Sequence, residues 1–507
     1  MGVAAAYAAF LLIATPRGFA LSPDAVDYAE AARSLSRGQG DVVDRIIFHT
    51  GLFPTVRHPL EVHGELQQFV LAALFVLGGP NPALVRIPGV VFAATLIVLS
   101  FVVGRRLFGT IAGLVAVCFV LSSRELVMLA LFFADDVPHA LFSFAAVGAF
   151  TIGATSESNR KAWLTGAGVA SAFSALAKFT GTIFPAVFGV LLIVHPKTRR
   201  AVGLRGFLRL ALPVLVVVAL YTWRNYRVYG TPGSPYGAVE WLGKDGMPNY
   251  FALYDPTPTV AEVWAKKGAA HMFGLIRMEL ASFVSVVFHY PLLLAGVPAT
   301  AWLLRRNVAW SGSILLYLAG LCGVTSVTHH VEARYLSALM PFSAVSVGAC
   351  ATEAFCALQE KVVDSRRRWT RAALVVLVGA VLSRAIVAEF LVARAFAIPA
   401  DGEEPCAAAI RFLRSDLAPN TVVLSSNPWL VSWAAERPSV NAPTNGAAAF
   451  LTVARHYGAR WMMVDRSFSY ADFDALLHEP SIVDALRPER VVPGPRCDVY
   501  RLHTPSP

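Results

Sequence analysis

Apolar runs of membrane length alternate along this chain with short polar breaks, and the runs set the element map. A bilayer crossing takes about 20 apolar residues. Stretches 84–104, 109–128, 137–152, 163–177, 183–194, 208–223, 281–304, 308–325, 335–355 and 372–391 each read as a membrane helix near that length. With the apolar start of the chain they make about eleven spans. Residues 2–14 are short and have no basic residue before them. That predicts a tilted, truncated helix or a true start upstream of Met1, and the missing basic segment argues against a signal peptide. Residues 65–77 are also too short to span and end in Gly78-Gly79-Pro80-Asn81-Pro82, which predicts an interfacial helix along the outer leaflet.

After about residue 399 the pattern changes. Helix-like runs at 407–413, 429–435, 447–457 and 469–477 alternate with short strand-like runs at 420–425, 461–464 and 499–502, which predicts a small α/β domain. The predicted fold is mainly α and polytopic. It has a membrane domain over 1–398, whose first outer loop (15–83) carries interfacial helices, and an extracytoplasmic α/β domain over 399–507.

Charge orients these spans. Arg105-Arg106, Asn159-Arg160-Lys161, Lys197 to Arg200, Arg305-Arg306 and Arg366 to Arg368 occupy alternate breaks, and basic residues at span ends mark the cytoplasmic side. If residues 65–77 spanned the membrane, every later loop would invert against that rule. The other breaks hold Asp24, Asp136, Lys178, Arg224 and the run His329 to Arg334. They face outward, where neither ATP nor nucleotide sugars are available. Composition agrees: 56% hydrophobic and 15% charged residues among 507, with mean hydropathy +0.56, describe a membrane protein. The net charge of +10 is explained by loop topology and does not call for nucleic acid. Cys118, Cys322, Cys350 and Cys356 read as small apolar residues. Cys406 and Cys497 form a disulfide if their domain is extracytoplasmic, or stay free thiols.

Candidate chemistry concentrates in the outward breaks. Ser22 is a helix cap and Pro23 suits a first turn, so Asp24 sits where the helix dipole favours a carboxylate that can accept a proton from a hydroxyl. The bland alternative is a helix-start charge. Tyr28 lies one turn on, while Asp27 and Glu30 read nearer to solvation duty on the same helix. Asp135 and Asp136 stand at a helix mouth beside the bilayer, where carboxylates usually face a cavity or partner. Lys178 either snorkels or binds a lipid phosphate. Arg224 reads as an interfacial anchor or a phosphate contact, and Arg334, at an outward helix start against the dipole, calls for a fixed anion. His58, Glu61 and His63 have no recognised zinc spacing, so no catalytic metal is assigned.

These residues together resemble the C-type integral-membrane glycosyltransferases of the protein mannosyltransferase and aminoarabinose transferase superfamily. The D-x-x-x-Y-x-x-x-A-x-x-L pattern falls on Asp24, Tyr28, Ala32 and Leu35, and His58-Pro59-Leu60 is similar to an H-P-P-L element lacking its second proline. Arg86-Ile87-Pro88, Arg105 to Gly109, Asp136-Val137-Pro138, Leu176-Ala177-Lys178, Trp223 to Pro232 and Glu332 to Leu336 complete the series in order. The resemblance implies inverting sugar transfer from a polyprenyl-phosphate donor to an envelope glycan, lipid or protein hydroxyl on the extracytoplasmic face of the cell membrane. Asp24 would be the general base and Asp136 its catalytic partner. Lys178, Arg224 and Arg334 would hold the donor phosphate, and Tyr28, Asp27, His58, Glu332 and Tyr335 would bind substrate. Ala25 replaces an acidic residue found after the base in some members, and the divalent metal of some relatives does not carry over. Two other classes compete: a flippase of a lipid-linked sugar, which should show broken helices in matched halves, and a non-catalytic envelope assembly protein. Sugar, acceptor, carrier length and oligomeric state are not encoded in any pattern here.

Overall fold

A computed structural model describes residues 2–14, 22–49, 53–60, 64–132, 134–233, 251–256, 258–328, 333–361, 387, 405–468 and 471–503. The helical part runs α1 (Gly2–Ala14), α2 (Pro23–Ser36), α3 (Leu66–Gly78), α4 (Pro82–Phe108), α5 (Thr110–Leu121), α6 (Arg124–Leu131), α7 (Asp136–Thr155), α8 (Arg160–Ala177), α9 (Phe184–Val194), α10 (Pro196–Tyr229), α11 (Val260–Lys267), α12 (Ala269–His289), α13 (Pro291–Leu303), α14 (Val308–Thr328) and α15 (Met340–Lys361). Among the described residues four helices are long and apolar enough to cross a membrane, or six if each bent pair is one span. The expected span at 372–391 lies outside the described residues.

Two expected spans are broken. The run 109–128 is α5 and α6, bent by 60°, where Ser123 stops one helix and caps the next by accepting from Leu126 N. The run 281–304 is α12 and α13, which meet at 96°, with Pro291 opening the second. Proline supplies no backbone donor and ends the helix before it. The short apolar run at 65–77 is α3, whose Leu71, Ala72 and Phe75 pack on Ala25, Tyr28, Ala29 and Ala32 of α2 while Phe69, Val76 and Leu77 stay exposed.

The bundle has two chemically different ends. At one end Arg106, closing α4, lies over the Trp163 ring of α8, and Phe108 meets Trp310 of α14. The basic breaks at 159–161 and 305–306 belong to the same helix ends. The other end carries the starts of α7 and α15 and the end of α8, and with them the acidic and mixed-charge residues. Between the ends an aromatic core of Phe144, Phe184, Phe188, Trp310, Tyr317 and Phe342 fills the interior. Helices α8 and α10 approach so closely that a Cβ on Gly168 would stand 2.1 Å from Arg209 O.

The strands of the first loop are β1 (Val42–Val43), β2 (Arg45–Ile46) and β3 (His58–Pro59), and β1 pairs antiparallel with β3. The C-terminal part adds α16 (Ala407–Ser415), β4 (Val423–Ser425), a helical turn over 428–435, β5 (Ser439–Asn441), α17 (Ala447–His456), β6 (Trp461–Asp465), α18 (Phe473–Leu477), α19 (Pro480–Leu486), β7 (Glu489–Val492) and β8 (Cys497–Arg501). They form a six-stranded sheet in the order β2-β5-β4-β6-β8-β7. The first four strands are parallel and the last two pairings antiparallel. One face packs Leu424, Val440, Met462 and Val464 against α17 and α19, and the other packs Val423, Met463 and Val499 against α16. Cys406 and Cys497 are disulfide-bonded across that second layer.

The edge strand β2 comes from the first loop. Arg45 and Ile46 pair with Ser439 and Val440, so the sheet bridges the boundary drawn at residue 399. His49, wholly buried beside this junction, has Nε2 2.7 Å from Asn441 O, and Asn441 Nδ2 donates to Ile47 O at 3.1 Å. The carbonyl accepts only from a protonated Nε2, which places a hydrogen there. Burial holds its pKa down to about 4. An unfolded chain binds this proton near 6.5. Between about pH 6.5 and 4 the unfolded state therefore takes up a proton that the folded state refuses, and stability falls as pH falls. Hydrogen exchange at 45–47 and 439–441, corrected for its intrinsic pH dependence, should show protection decreasing across that window by up to roughly 3 kcal/mol. Flat protection in wild type would exclude a buried neutral His49.

Candidate active site

Four chain segments distant in sequence meet at the acidic end of the bundle. The first is the start of α2. Ser22 is extended, its Oγ accepts from Ala25 N at 3.2 Å, and the same hydroxyl donates to Phe132 O at 3.1 Å. This fixes the helix start against the end of α6 and places Asp24 in the first turn. The second is Asp135-Asp136 at the start of α7, both buried. The third is Lys178, at the break between α8 and the 3-10 helix Phe179–Ile183. The fourth is Arg334-Tyr335 in the 3-10 helix Ala333–Leu339 that leads into α15.

Their polar contacts are mutual. Arg334 Nη1 donates to Asp24 Oδ2. Lys178 Nζ lies 2.6 Å from Asp136 Oδ1, 3.5 Å from Asp135 Oδ1 and 4.1 Å from the Tyr335 ring centre. The Arg334 guanidinium is 5.7 Å from that same ring. Tyr28 is completely buried on α2, and burial, then the charges of Asp135, Asp24, Asp136 and Asp27, push its phenol well above its usual value. Asp24 and Arg334 keep about a quarter of their side-chain surface and Lys178 18%, so this cluster is reachable from outside.

The helix break at Lys178 is built, not incidental. A break at membrane depth frees backbone groups that other parts of the protein must satisfy. Lys178 N donates to Ser174 O at 2.9 Å and Gly181 N to Lys178 O at 2.8 Å. A Cβ at Gly181 would sit 2.4 Å from Ala175 N, so only glycine allows this tight return. His139, one turn after Asp136, pins both sides of the break. Its Nδ1 is 3.0 Å from Ser174 Oγ before it, and its Nε2 is 3.2 Å from Thr180 Oγ1 after it and 2.8 Å from Tyr317 OH. Sequence reasoning missed His139, although a lone imidazole in the apolar run of α7 is itself a signal.

Other expected residues lie elsewhere. Arg224 Nη2 donates to Asp41 Oδ2 at 3.1 Å and Leu60 O at 2.7 Å, and its Nη1 reaches Asn225 Oδ1 at 3.4 Å. Its donors hold the first loop to α10. His58 is stacked on Phe53 with Nδ1 2.9 Å from Val56 O, and burial lowers its pKa to about 4. It belongs to the β1–β3 hairpin. Asp27 and Glu30 are buried, not solvating, and both pair with Arg45. Glu332 lies outside the described residues. Among the described residues, Cys406, Cys497 and Asp465 are the one group with metal-like spacing, and the disulfide consumes both thiols.

Residues 62–223 match the model of the dolichyl-phosphate-mannose-protein mannosyltransferase family. The matched stretch contains Asp136 and Lys178 and excludes Asp24 and Arg334. The chain superposes on ArnT from Cupriavidus metallidurans, solved bound to undecaprenyl phosphate, with TM-score 0.58 and 16% identity over 98% of this chain and 97% of that one. The fold is that of the C-type glycosyltransferases. A second structure with this fold is the archaeal oligosaccharyltransferase AglB from Archaeoglobus fulgidus, in complex with an inhibitory peptide and a dolichol-phosphate. It matches at TM-score 0.57 and 13% identity over 92% of this chain and 69% of that one. The mycobacterial arabinofuranosyltransferase AftD matches at 0.53 and 14% identity, covering 100% of this chain and 40% of the larger protein. No curated protein sequence matches at significance. In this chain the position of Lys178 is set by the break that carries it. Replacing His139 by phenylalanine strands buried partners on both sides of that break. It should lower thermal stability in detergent by about 1–3 kcal/mol, and an unchanged melting curve would show that the break holds without it.

Proposed function

We propose that this protein transfers a sugar from a polyprenyl-phosphate carrier to an acceptor hydroxyl on the outward face of the membrane. The observation that carries the reading is the convergence of Asp24, Arg334, Lys178 and Asp136 at one accessible point on the bundle end opposite the basic loops. The match to the mannosyltransferase family model, and the C-type fold shared with an enzyme solved bound to undecaprenyl phosphate, support it.

The chemistry follows from the pairs. The acceptor oxygen attacks the anomeric carbon from the side opposite the carrier, and the bond from that carbon to the phosphate oxygen breaks. Its electron pair leaves on the phosphate, so configuration inverts. Asp24 takes the acceptor proton, and Lys178 and Arg334 neutralise the charge growing on the leaving oxygens. Asp136 orients Lys178 through its 2.6 Å contact. Tyr335 sets its ring against both cations, and Tyr28 is buried on the helix that carries Asp24. Arg224 anchors the first loop and is released from the phosphate role.

The resting state also restrains the base. Asp24 is held by Arg334. The donor is a phosphate diester with one negative charge, and on arriving at Arg334 it would compete with Asp24 for the guanidinium.

The test uses protein in lipid nanodiscs with a panel of polyprenyl-phosphate sugars and crude envelope acceptors, scoring sugar transfer and released carrier phosphate. Wild type should turn over with one donor, and Asp24→Asn should lose about 10²- to 10⁴-fold in rate. Equal turnover in both proteins removes Asp24 as base. Translocation of a donor without transfer replaces the enzyme reading with a transporter.

A further inference from the structure

The helix that carries Asp24 is bolted to the α/β unit by a face that takes no part in the site. Asp27, Glu30 and Arg33 follow Asp24 at intervals of three on α2, a stripe that winds from Asp24 away from Tyr28. Arg45 of β2, wholly buried, pairs with both Asp27 and Glu30. Trp429 Nε1 donates to Asp27 Oδ1 at 2.7 Å. Ser432 Oγ donates to Glu30 Oε2 at 3.0 Å, and Asp44 N to Glu30 Oε1 at 2.7 Å. Arg33 Nη2 donates to Ser432 O at 3.1 Å, with its guanidinium 5.0 Å from the Trp433 ring centre. The turn that supplies Trp429 and Ser432 is tied to β5 by Ser439 Oγ donating to Pro428 O at 2.8 Å. Sheet, turn and α2 thus form one hydrogen-bonded body.

Apolar packing would make this junction at lower cost. Burying four ions is expensive, and well-packed hydrophobic replacements are often neutral or stabilising. What directional donors add is a single orientation of the helix. Asp24 stands three residues from Asp27, about 4.5 Å along the axis at 1.5 Å per residue, so a tilt at the clamp is passed almost directly to the carboxylate. Misplacing a reacting group by about 1 Å can cost on the order of 100-fold in rate. We propose that Asp27, Glu30, Arg45 and Trp429 are positioning residues for Asp24, through which the C-terminal α/β unit sets the rate of transfer without touching substrate. This rests on Asp24 being the base.

The experiment is a double-mutant cycle on the full-length protein in nanodiscs, read in single turnovers with radiolabelled donor and enzyme in excess. Trp429→Phe keeps an aromatic ring, though a smaller one, and deletes the N–H donor. The neutral set Asp27→Asn, Glu30→Gln, Arg45→Met keeps the volume and removes the charges. Each should lower the transfer rate about 10- to 100-fold with donor affinity unchanged, while in an Asp24→Asn background each should cost less than about twofold, because the group it positions is gone. A loss of equal factor in both backgrounds is a general structural effect and overturns the proposal, as does full activity of both clamp variants. Wild-type activity in Asp24→Asn alone is a different failure and removes the base assignment.

Discussion

A guanidinium with no exposed surface must keep its counter-ions, and Arg45 keeps two. That requirement joins the three parts of this protein: a strand of the first loop, the helix that presents Asp24, and a sheet formed some four hundred residues later. Removing Arg45 leaves Asp27 and Glu30 buried without the cation they share, which costs several kcal/mol. The geometry on the α2 side is therefore fixed by electrostatics, while the bundle beneath it is fixed by apolar and aromatic packing.

The site sits where those two regimes meet. Each of its cations already has an anion: Arg334 has Asp24, and Lys178 has Asp136 with Asp135 behind it. Tyr335 offers its face to both cations. Under the function proposed above, an anionic carrier would bind here by exchanging partners and not by filling an empty positive pocket, and its affinity would depend on how far the phosphate outbids carboxylates held at helix starts. The dipole at the start of α2 and α7 favours those carboxylates where they are.

Much of this was legible in the sequence because it is written locally. Apolar runs located α4, α7, α8, α9 and α10, and Ser22-Pro23 located the start of α2. The residues expected outside, Asp24, Asp136, Lys178, Arg334 and Tyr335, do meet in one cluster. The turns at Ser123 and Pro291 were written there too, but hydropathy is continuous across both, and period alone joins what a cap or a proline separates. Asp27 was misplaced for another reason. A carboxylate on a polar helix reads as solvated unless its partner is known, and its partners are Arg45 and Trp429. No local pattern reports a pairing 402 residues apart. Arg224 likewise looked like a free interfacial cation until Asp41 and the Leu60 carbonyl took its donors.

The parallel pairing of β2 with β5 has a consequence for biogenesis. Residue 45 cannot find its strand partner until residue 439 has left the ribosome and reached the same side of the membrane. Loop closure over that separation is the slow kind of contact in folding. During nearly all of synthesis, then, α2 rests on α3 and the end of α6 without the contacts of Trp429 and Ser432. Assembly of the junction between α2 and the sheet therefore waits for the last quarter of the chain.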